Sequence, residues 1–221
     1  MLHTNFASVM SCVSFLFLCF MTGCGKTDME DDLKNLDVEA LTLKQAKRSL
    51  YDDVAGGDVK RVAQIFDKYA DLVEAESSLT NSWMDQAVYY GQFEMLEFLR
   101  SKGFTYTHSP AGRPLGLLQE AQSGKQLAMT RFLLDKGLFS NEQRILFGAI
   151  NMQESPLEWV TLYVDHGADV NWCVKIAGPE VTWATPLDWA RRAGKQDIVD
   201  YLLSKGAVTA DDPRANRRDD D

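Results

Sequence analysis

The sequence predicts an all-α protein in which about five helix–turn–helix units stack on one another. A glycine recurs after a short helix with an apolar stripe, at steps of 34, 30 and 39 residues. A second glycine recurs inside the units, where a left-handed backbone would turn the chain between two helices. Such a unit cannot bury its apolar face alone, so it needs neighbours. The end glycines are Gly103, Gly137, Gly167 and Gly206, and the turn glycines are Gly57, Gly91, Gly124 and Gly194.

The last unit is the most regular and indicates the type of repeat. Thr185 suits a helix N-cap, Pro186 suits the first helical position, and Gly206 suits the end of the second helix. The segment Thr-Pro-Leu-Asp-Trp-Ala at 185–190 and the loop Gly-Ala-Asp-Val-Asn at 167–171 resemble the ankyrin repeat. The tetratricopeptide class has a similar period, but these two segments argue against it. The resemblance implies an ankyrin-type helix–turn–helix solenoid of about five repeats with short loop fingers.

The earlier repeats depart from the ankyrin pattern to different degrees. The first, at 50–69, is the most degenerate. The third opens with Pro-Leu at 114–115, but it runs two residues too long before Gly124 and one too long after it. The fourth has Ser-Pro at 155–156 where the turn glycine is expected. The last two repeats are therefore the most family-like.

The N-terminus resembles a bacterial lipoprotein signal peptide. Residues 6–21 are apolar apart from Ser and Cys, and a small residue precedes Cys24. The resemblance implies that residues 1–23 are removed, that Cys24 is lipidated and that the acidic segment 24–37 is a tether. By the sorting rule known for enteric lipoproteins, Gly25 implies the periplasmic face of the outer membrane. No Lys or Arg precedes Cys24, so an uncleaved signal anchor in the inner membrane is the alternative.

The remaining chain is predicted to form a repeat domain at 38–208 and a disordered polar tail at 209–221, which has no apolar stripe. The net charge of -9 disfavours nucleic acid and anionic lipid head groups, and it favours basic protein surfaces as partners. Once the signal peptide is removed and Cys24 is lipidated, Cys173 is the only free cysteine, which excludes an internal disulfide. Cys173 is either a half-buried small residue or a redox-active thiol.

No pattern typical of catalysis or of a metal or cofactor site is found. Gly-Lys-Thr at 25–27 resembles the end of a phosphate-binding loop, but Phe20 stands where that loop needs a glycine. Neither His108 nor His166 has a second His, Cys or carboxylate at ligand spacing. We therefore expect no catalytic residue, no metal and no cofactor. The ankyrin resemblance implies a binding protein and not an enzyme.

The resemblance also implies that a partner contacts a concave surface formed by the loop fingers and the first helix of each repeat. Tyrosine offers a large contact area at a low cost in entropy, so two consecutive tyrosines on this surface are candidates. One of them could instead pack against the adjacent repeat, and the arginines there could be solvated surface. Carried over by position, the contact sites are Tyr89, Tyr90, Gln122, Ser123, Arg192 and Ala193.

The loop from Asn171 to Ala184 is longer than an ankyrin finger by about six residues. Apolar residues alternate on both sides of Gly-Pro at 178–179, which predicts a two-stranded hairpin. Trp172 and Trp183 lie on this hairpin and are candidate partner contacts. The alternative is that they fold back and cover the irregular fourth repeat.

These observations predict a lipid-anchored module that binds another protein. Its most specific form is an immunity protein that neutralises a secreted antibacterial toxin, because many immunity proteins are small and acidic and some are repeat-containing lipoproteins. The alternative is a constitutive envelope scaffold or adaptor that supports a periplasmic enzyme. The neighbouring gene would discriminate between them, because an immunity protein is encoded next to its toxin.

We predict that Cys24→Ala abolishes lipid labelling of the chain and the mass shift of maturation, because the Cys24 thiol is the predicted attachment point of the lipid. Metabolic labelling with a fatty-acid analogue and intact-mass measurement give the readout. Cys173→Ala is the matched control and should be labelled like the wild type. An intact N-terminus with an unmodified Cys24 would contradict the lipoprotein prediction.

Overall fold

The computed structural model describes residues 33–72, 82–108, 116–138, 143–176 and 182–217. The chain divides into two compact units, residues 1–49 and residues 50–221, and we call the second the repeat unit. The predicted signal peptide, Cys24 and the tether up to residue 32 lie outside the described residues. No helix in the described part is long and apolar enough to cross a membrane.

The first unit contains a short 3-10 helix, Val38–Ala40, which follows the N-cap residue Asp37. The side chain of Asp37 accepts a hydrogen bond from the backbone N–H of Glu39 at 3.2 Å. Helix α1, Leu43–Gly56, begins in this unit and continues into the repeat unit. At the start of this helix, the Thr42 side chain accepts a hydrogen bond from the Gln45 N–H at 3.4 Å.

The described helices form five pairs, which confirms the prediction of an all-α protein with about five ankyrin-type repeats. Within the repeat unit, the first helices α3, α5, α7 and α9 contact one another in that order, and we call them the first-helix row. The second helices pack beside them. The pairs are α1 with α2 (Val59–Lys68), α3 (Trp83–Tyr89) with α4 (Phe93–Ser101), α5 (Leu117–Ser123) with α6 (Leu127–Asp135), α7 (Ile145–Asn151) with α8 (Pro156–Asp165), and α9 (Pro186–Arg192) with α10 (Gln196–Ser204).

The ends of the helices follow the capping chemistry that the sequence predicts. Thr185 is the N-cap of α9, and its hydroxyl accepts a hydrogen bond from the Asp188 N–H at 3.3 Å, while the Asp188 carboxylate accepts from the Thr185 N–H at 3.1 Å. Ser82 and Asp85 form the same reciprocal cap at α3. All four end glycines have positive φ. At Gly206, the Ala207 N–H reaches the Leu202 carbonyl at 3.0 Å, which satisfies a helix-end carbonyl.

The turn between paired helices is left-handed at Gly57, Gly91 and Gly194, as the sequence predicts, but two repeats differ. In the third repeat the left-handed residue is Lys125, with φ 57°, and Gly124 has an ordinary helical backbone. In the fourth it is Ser155, with φ 46°. The assignment of Gly124 as the left-handed turn residue was therefore wrong by one position. A Cβ on Gly124 would overlap the Tyr89 carbonyl oxygen, so a glycine is needed for the close approach of α3 and α5.

The segment after Val208 also differs from the expected disordered tail over its described part, residues 209–217. The Ala210 N–H donates to the Asp188 carboxylate at 2.8 Å, and Ala210 is buried. Asn216 pairs with the loop before the hairpin: its N–H donates to the Asn171 carbonyl at 2.8 Å, and its carbonyl accepts from the Cys173 N–H at 3.0 Å. Backbone hydrogen bonds hold this segment. Such bonds do not require a periodic pattern of apolar side chains, which is why the sequence of this segment indicated disorder.

Pairs of a cation and a carboxylate join the ends of three of the successive second helices to the preceding ones. The residue before three of the four end glycines contacts a carboxylate of the preceding repeat: Lys102 with Asp67 at 3.6 Å, His166 with Asp135 at 3.0 Å, and Lys205 with Asp165 at 3.2 Å. His166 also places Nδ1 at 2.7 Å from the Leu162 carbonyl. The backbone hydrogen bond to Leu162 and then the hydrogen bond to Asp135 raise the pKa of His166 above its usual 6.5. The fourth repeat therefore has a titrating group where its neighbours have lysine.

We predict that Gly124→Ala lowers the free energy of unfolding by about 1–3 kcal/mol, because the new methyl group overlaps backbone that cannot rotate away. Urea unfolding followed by circular dichroism gives the measurement. Gly56→Ala is the control, since a Cβ there meets no atom within 4 Å, and it should leave stability unchanged or raise it by up to about 1 kcal/mol. Equal effects of the two substitutions would contradict the close packing of α3 on α5.

We predict a pH-dependent contribution of His166 to stability. Its pKa is higher in the folded than in the unfolded chain, so the contribution is complete below pH 6.5 and is lost as pH rises through the folded pKa. His166→Gln should remove this part of the pH dependence of unfolding between about pH 5.5 and 8. His108→Gln is the control and should retain it. A His166→Gln profile parallel to the wild type would rule out the His166–Asp135 interaction.

Candidate protein-binding surface

The first-helix row and the long loop form the surface on which the predicted contact residues lie. The loop contains strands β1, Val174–Ile176, and β2, Thr182–Ala184, which pair antiparallel. The predicted hairpin is therefore confirmed, while its turn at 177–181 lies outside the described residues. The register pairs Lys175 with Trp183.

The two predicted tyrosines lie at the end of α3 and differ in exposure. Tyr90 is 49% exposed, whereas Tyr89 is only partly exposed. Their rings make an edge-to-face contact with centroids 5.0 Å apart. The backbone of Tyr89 lies against Gly124 of the next repeat. The alternative of packing on the adjacent repeat thus applies to Tyr89, and Tyr90 is the tyrosine that a partner can reach.

The two tryptophans of the hairpin lie in different environments. Trp172 is only 9% exposed, and its ring makes an edge contact with Phe147 of α7 at 6.2 Å. Arg144 lies over the same ring at 6.0 Å from its centroid. Trp172 therefore covers the fourth repeat, as the packing alternative supposed. Its indole contributes mainly to the core.

Trp183 lies in strand β2, on the side of the hairpin opposite Val174 and Ile176. Side chains alternate along a strand, so Val174 and Ile176 share one side. Lys175 and its partner Trp183 share the other. Trp183 remains partly exposed, and the Lys175 ammonium lies 5.1 Å from its ring centroid. Trp183 is consequently the tryptophan that is accessible to a partner.

Arg192, the last residue of α9, is exposed, and its side chain has no hydrogen bond or ion pair among the described residues. One turn earlier on the same face of α9 is Trp189, a partly exposed residue that sequence reasoning missed. Its Nε1 donates to the Asn151 side chain at 3.0 Å, and its ring makes an edge contact with Phe147 at 5.8 Å. The spacing of three residues from Arg192 was the signal that could have identified it.

Gln122 has a structural role in the row. Its Nε2 donates to the Ile145 carbonyl at 3.4 Å, which ties α5 to α7. The adjacent Ser123 and the equivalent Ala193 are exposed. Gln122, one of the contact positions carried over from the ankyrin pattern, therefore stabilises the stack of repeats.

Glu120, on α5, is a partly buried carboxylate with no hydrogen bond or ion pair in the described part of the chain. Burial, and after it the charge of Asp85 on α3, raises the pKa of Glu120. The second and third repeats thus present negative charge on the first-helix row. This charge was not identified from the sequence.

The titratable groups that could suggest catalysis or metal binding take part in the packing and hydrogen bonding of the fold. No group of three or more His, Cys, Asp or Glu residues with metal-binding geometry occurs within the described ranges. Cys173 is buried, and burial raises the pKa of its thiol, which keeps it protonated at neutral pH. Asp169 and Asp188 accept hydrogen bonds from backbone N–H groups at 2.8 Å. These groups serve the fold.

Residues 183–213 match the family model of the ankyrin repeat. The match covers α9, α10 and the described segment that follows them. No curated protein matches the chain. The fold and this match define a protein–protein interaction module of the ankyrin type, a class of repeat that is non-catalytic. Its partner has to be sought on the surface described above.

We predict unequal stability effects for the two hairpin tryptophans. Trp172→Ala should lower the free energy of unfolding by about 3 kcal/mol, because it removes a buried ring from contact with Phe147. Trp183→Ala should change it by less than about 1 kcal/mol, because this ring is partly exposed. Urea unfolding of both variants measures the difference. Equal losses would show that both rings belong to the core.

Proposed function

We propose that this chain is a lipid-anchored periplasmic protein-binding module, and most specifically an immunity protein that neutralises a secreted antibacterial toxin. The observation that carries the proposal is that Tyr90 and Arg192 are exposed and that Trp183 is partly exposed. Tyrosine, tryptophan and arginine are the residue types that dominate binding energy at protein interfaces. The exposure of all three on an ankyrin-type stack supports a partner that binds there.

The proposed cellular location rests on the N-terminal sequence. An apolar segment followed by Gly-Cys at 23–24 is typical of a lipoprotein signal peptide, and Gly25 favours transfer to the periplasmic face of the outer membrane. A toxin that attacks phospholipids or cell wall acts in this compartment. A neutralising protein anchored there would meet the toxin before it reaches its target.

We predict that this chain relieves growth arrest caused by a periplasm-targeted product of the adjacent gene. A variant with Tyr90→Ala, Trp183→Ala and Arg192→Ala should give no protection, because it lacks the proposed contacts while the buried core is retained. Growth curves give the readout, and immunoblots verify equal amounts of protein. The matched control carries Glu94→Ala, Arg131→Ala and Leu203→Ala on second helices, all of them exposed. It should protect like the wild type.

Two other outcomes would decide against this proposal. If the adjacent gene product is not toxic or the chain gives no protection, the immunity function is wrong. If deletion of this chain instead lowers the amount or activity of a periplasmic enzyme in the absence of any toxin, the scaffold function replaces it. Protection by the triple variant at the wild-type level would remove the proposed surface from the interaction.

A further inference from the structure

Helices α3, α5 and α7 of the first-helix row contain carboxylates but no Lys or Arg. Their charged residues are Asp85 on α3 and Glu120 on α5, and α7 has none. The turn that follows α5 contains Lys125, but its ammonium is paired with Glu154 at 3.2 Å. The middle of the row is therefore negatively charged, in keeping with the net charge of -9.

The two carboxylates of this part of the row have different surroundings. Asp85 is buried, and its carboxylate accepts the Ser82 N–H at 2.8 Å as part of the helix cap. The Glu120 carboxylate is partly exposed and has no hydrogen bond or ion pair in the part of the chain that the structure describes. Removing an ionised carboxylate from water without a partner costs free energy. Glu120 is therefore the negative charge that another molecule can reach and neutralise.

The position of Glu120 relative to the exposed tyrosine follows from the packing of α3 on α5. Asp85 interacts electrostatically with Glu120. Four residues later on each helix, the Tyr89 backbone lies against Gly124. The two helices thus run side by side in the same direction, and Tyr89 and Tyr90 follow Glu120 by about one turn, roughly 5.4 Å along the axis. We call Tyr90 and Glu120 the acidic aromatic site.

This combination suits a side chain that ends in a positive charge. A Lys or Arg side chain has an apolar stem that packs on an aromatic ring and a cation that pairs with a carboxylate. Tyrosine rings also attract cations through their electron-rich faces. Tyr90 is 49% exposed, so its ring is accessible to such a side chain.

We propose that the acidic aromatic site binds a Lys or Arg side chain of a protein partner, and that Glu120 selects for it. A partner with a neutral residue there leaves Glu120 unpaired, and one with a carboxylate is repelled. The occupant is protein and not nucleic acid, because the net charge of -9 repels a polyanion. The inference rests on the proposed binding function, and it adds the residue that recognises the partner.

Glu120→Gln separates a role in binding from a role in the fold. The substitution keeps the shape of the side chain and removes its charge, so it should weaken partner binding. The midpoint of urea unfolding should stay unchanged or rise, because the partly buried charge has no partner within the described ranges. A lower midpoint would show that Glu120 supports the fold and would overturn the proposal. Glu94→Gln, at an exposed position on α4, is the control with the same change in net charge.

The partner contact is located with p-benzoylphenylalanine, a photo-crosslinking amino acid, placed in the full chain at position 90, 119, 192 or 131, one at a time. Position 119 is exposed and adjacent to Glu120, and position 131 is exposed on α6. Crosslinked peptides from cells are sequenced by mass spectrometry. We expect positions 90 and 119 to capture one protein through a peptide that contains Lys or Arg, and position 131 not to capture it. A captured peptide without Lys or Arg would overturn the proposal.

The captured peptide is then synthesised and titrated against the full chain. Glu120→Gln should weaken binding at least about fivefold and Glu120→Lys at least about fiftyfold, while Glu94→Gln and Glu94→Lys should each change it less than about twofold. Replacing the Lys or Arg of the peptide by Glu should restore binding to the Glu120→Lys chain. Equal effects at positions 120 and 94, or no restoration, would overturn the proposal.

The crosslinking also separates failure of this inference from failure of the binding function. If position 192 captures a protein and positions 90 and 119 do not, the binding function stands and this inference fails. If none of these three positions captures a protein, both fail.

Discussion

The structure depends on burial of apolar side chains between successive repeats, because no helix pair can cover its own apolar face. Met95, Leu96 and Leu99 of α4 are fully buried, and so are Met129 and Leu133 of α6. Each methylene removed from water contributes about 0.8 kcal/mol, so the stack is held by the sum of many similar contacts. Helices of seven to ten residues would be marginal alone in water. The shared core therefore makes the short helices stable and fixes the spacing of the surface they carry.

Polar side chains reinforce this stacking at the residue just after two of the left-handed turns, those at Gly91 and Gly194. Gln92 donates to the Ala55 carbonyl at 2.8 Å, and Lys195 donates to the Met152 carbonyl at 2.6 Å. Both reach back to the turn of the preceding repeat. At the ends of first helices and on the hairpin, by contrast, Tyr90, Trp183 and Arg192 leave large or charged groups accessible. The groups that hold the stack together are thus separate from those available to a partner.

Features that depend on local capping and period were predictable from the sequence, and features that depend on tertiary contact were not. The cap at Thr185 and the end at Gly206 follow from side-chain chemistry within one repeat. The left-handed Lys125 was not predictable, because lysine has no preference for that backbone, and the constraint comes from Gly124 meeting Tyr89 of another repeat. The burial of Trp172 depends on Phe147, and the folded segment at 209–217 depends on backbone hydrogen bonds. Neither of these features produces a periodic pattern in the sequence.

The central claim is that the first-helix surface is the binding surface and that the second helices are support. Hydrogen–deuterium exchange of the full chain, with and without the product of the adjacent gene that is proposed as its partner, tests it most directly. The account predicts slower exchange on binding in α3, α9 and the hairpin, with little change in α4, α6 and α10. Protection confined to the second helices, with the first-helix row unchanged, would contradict the account.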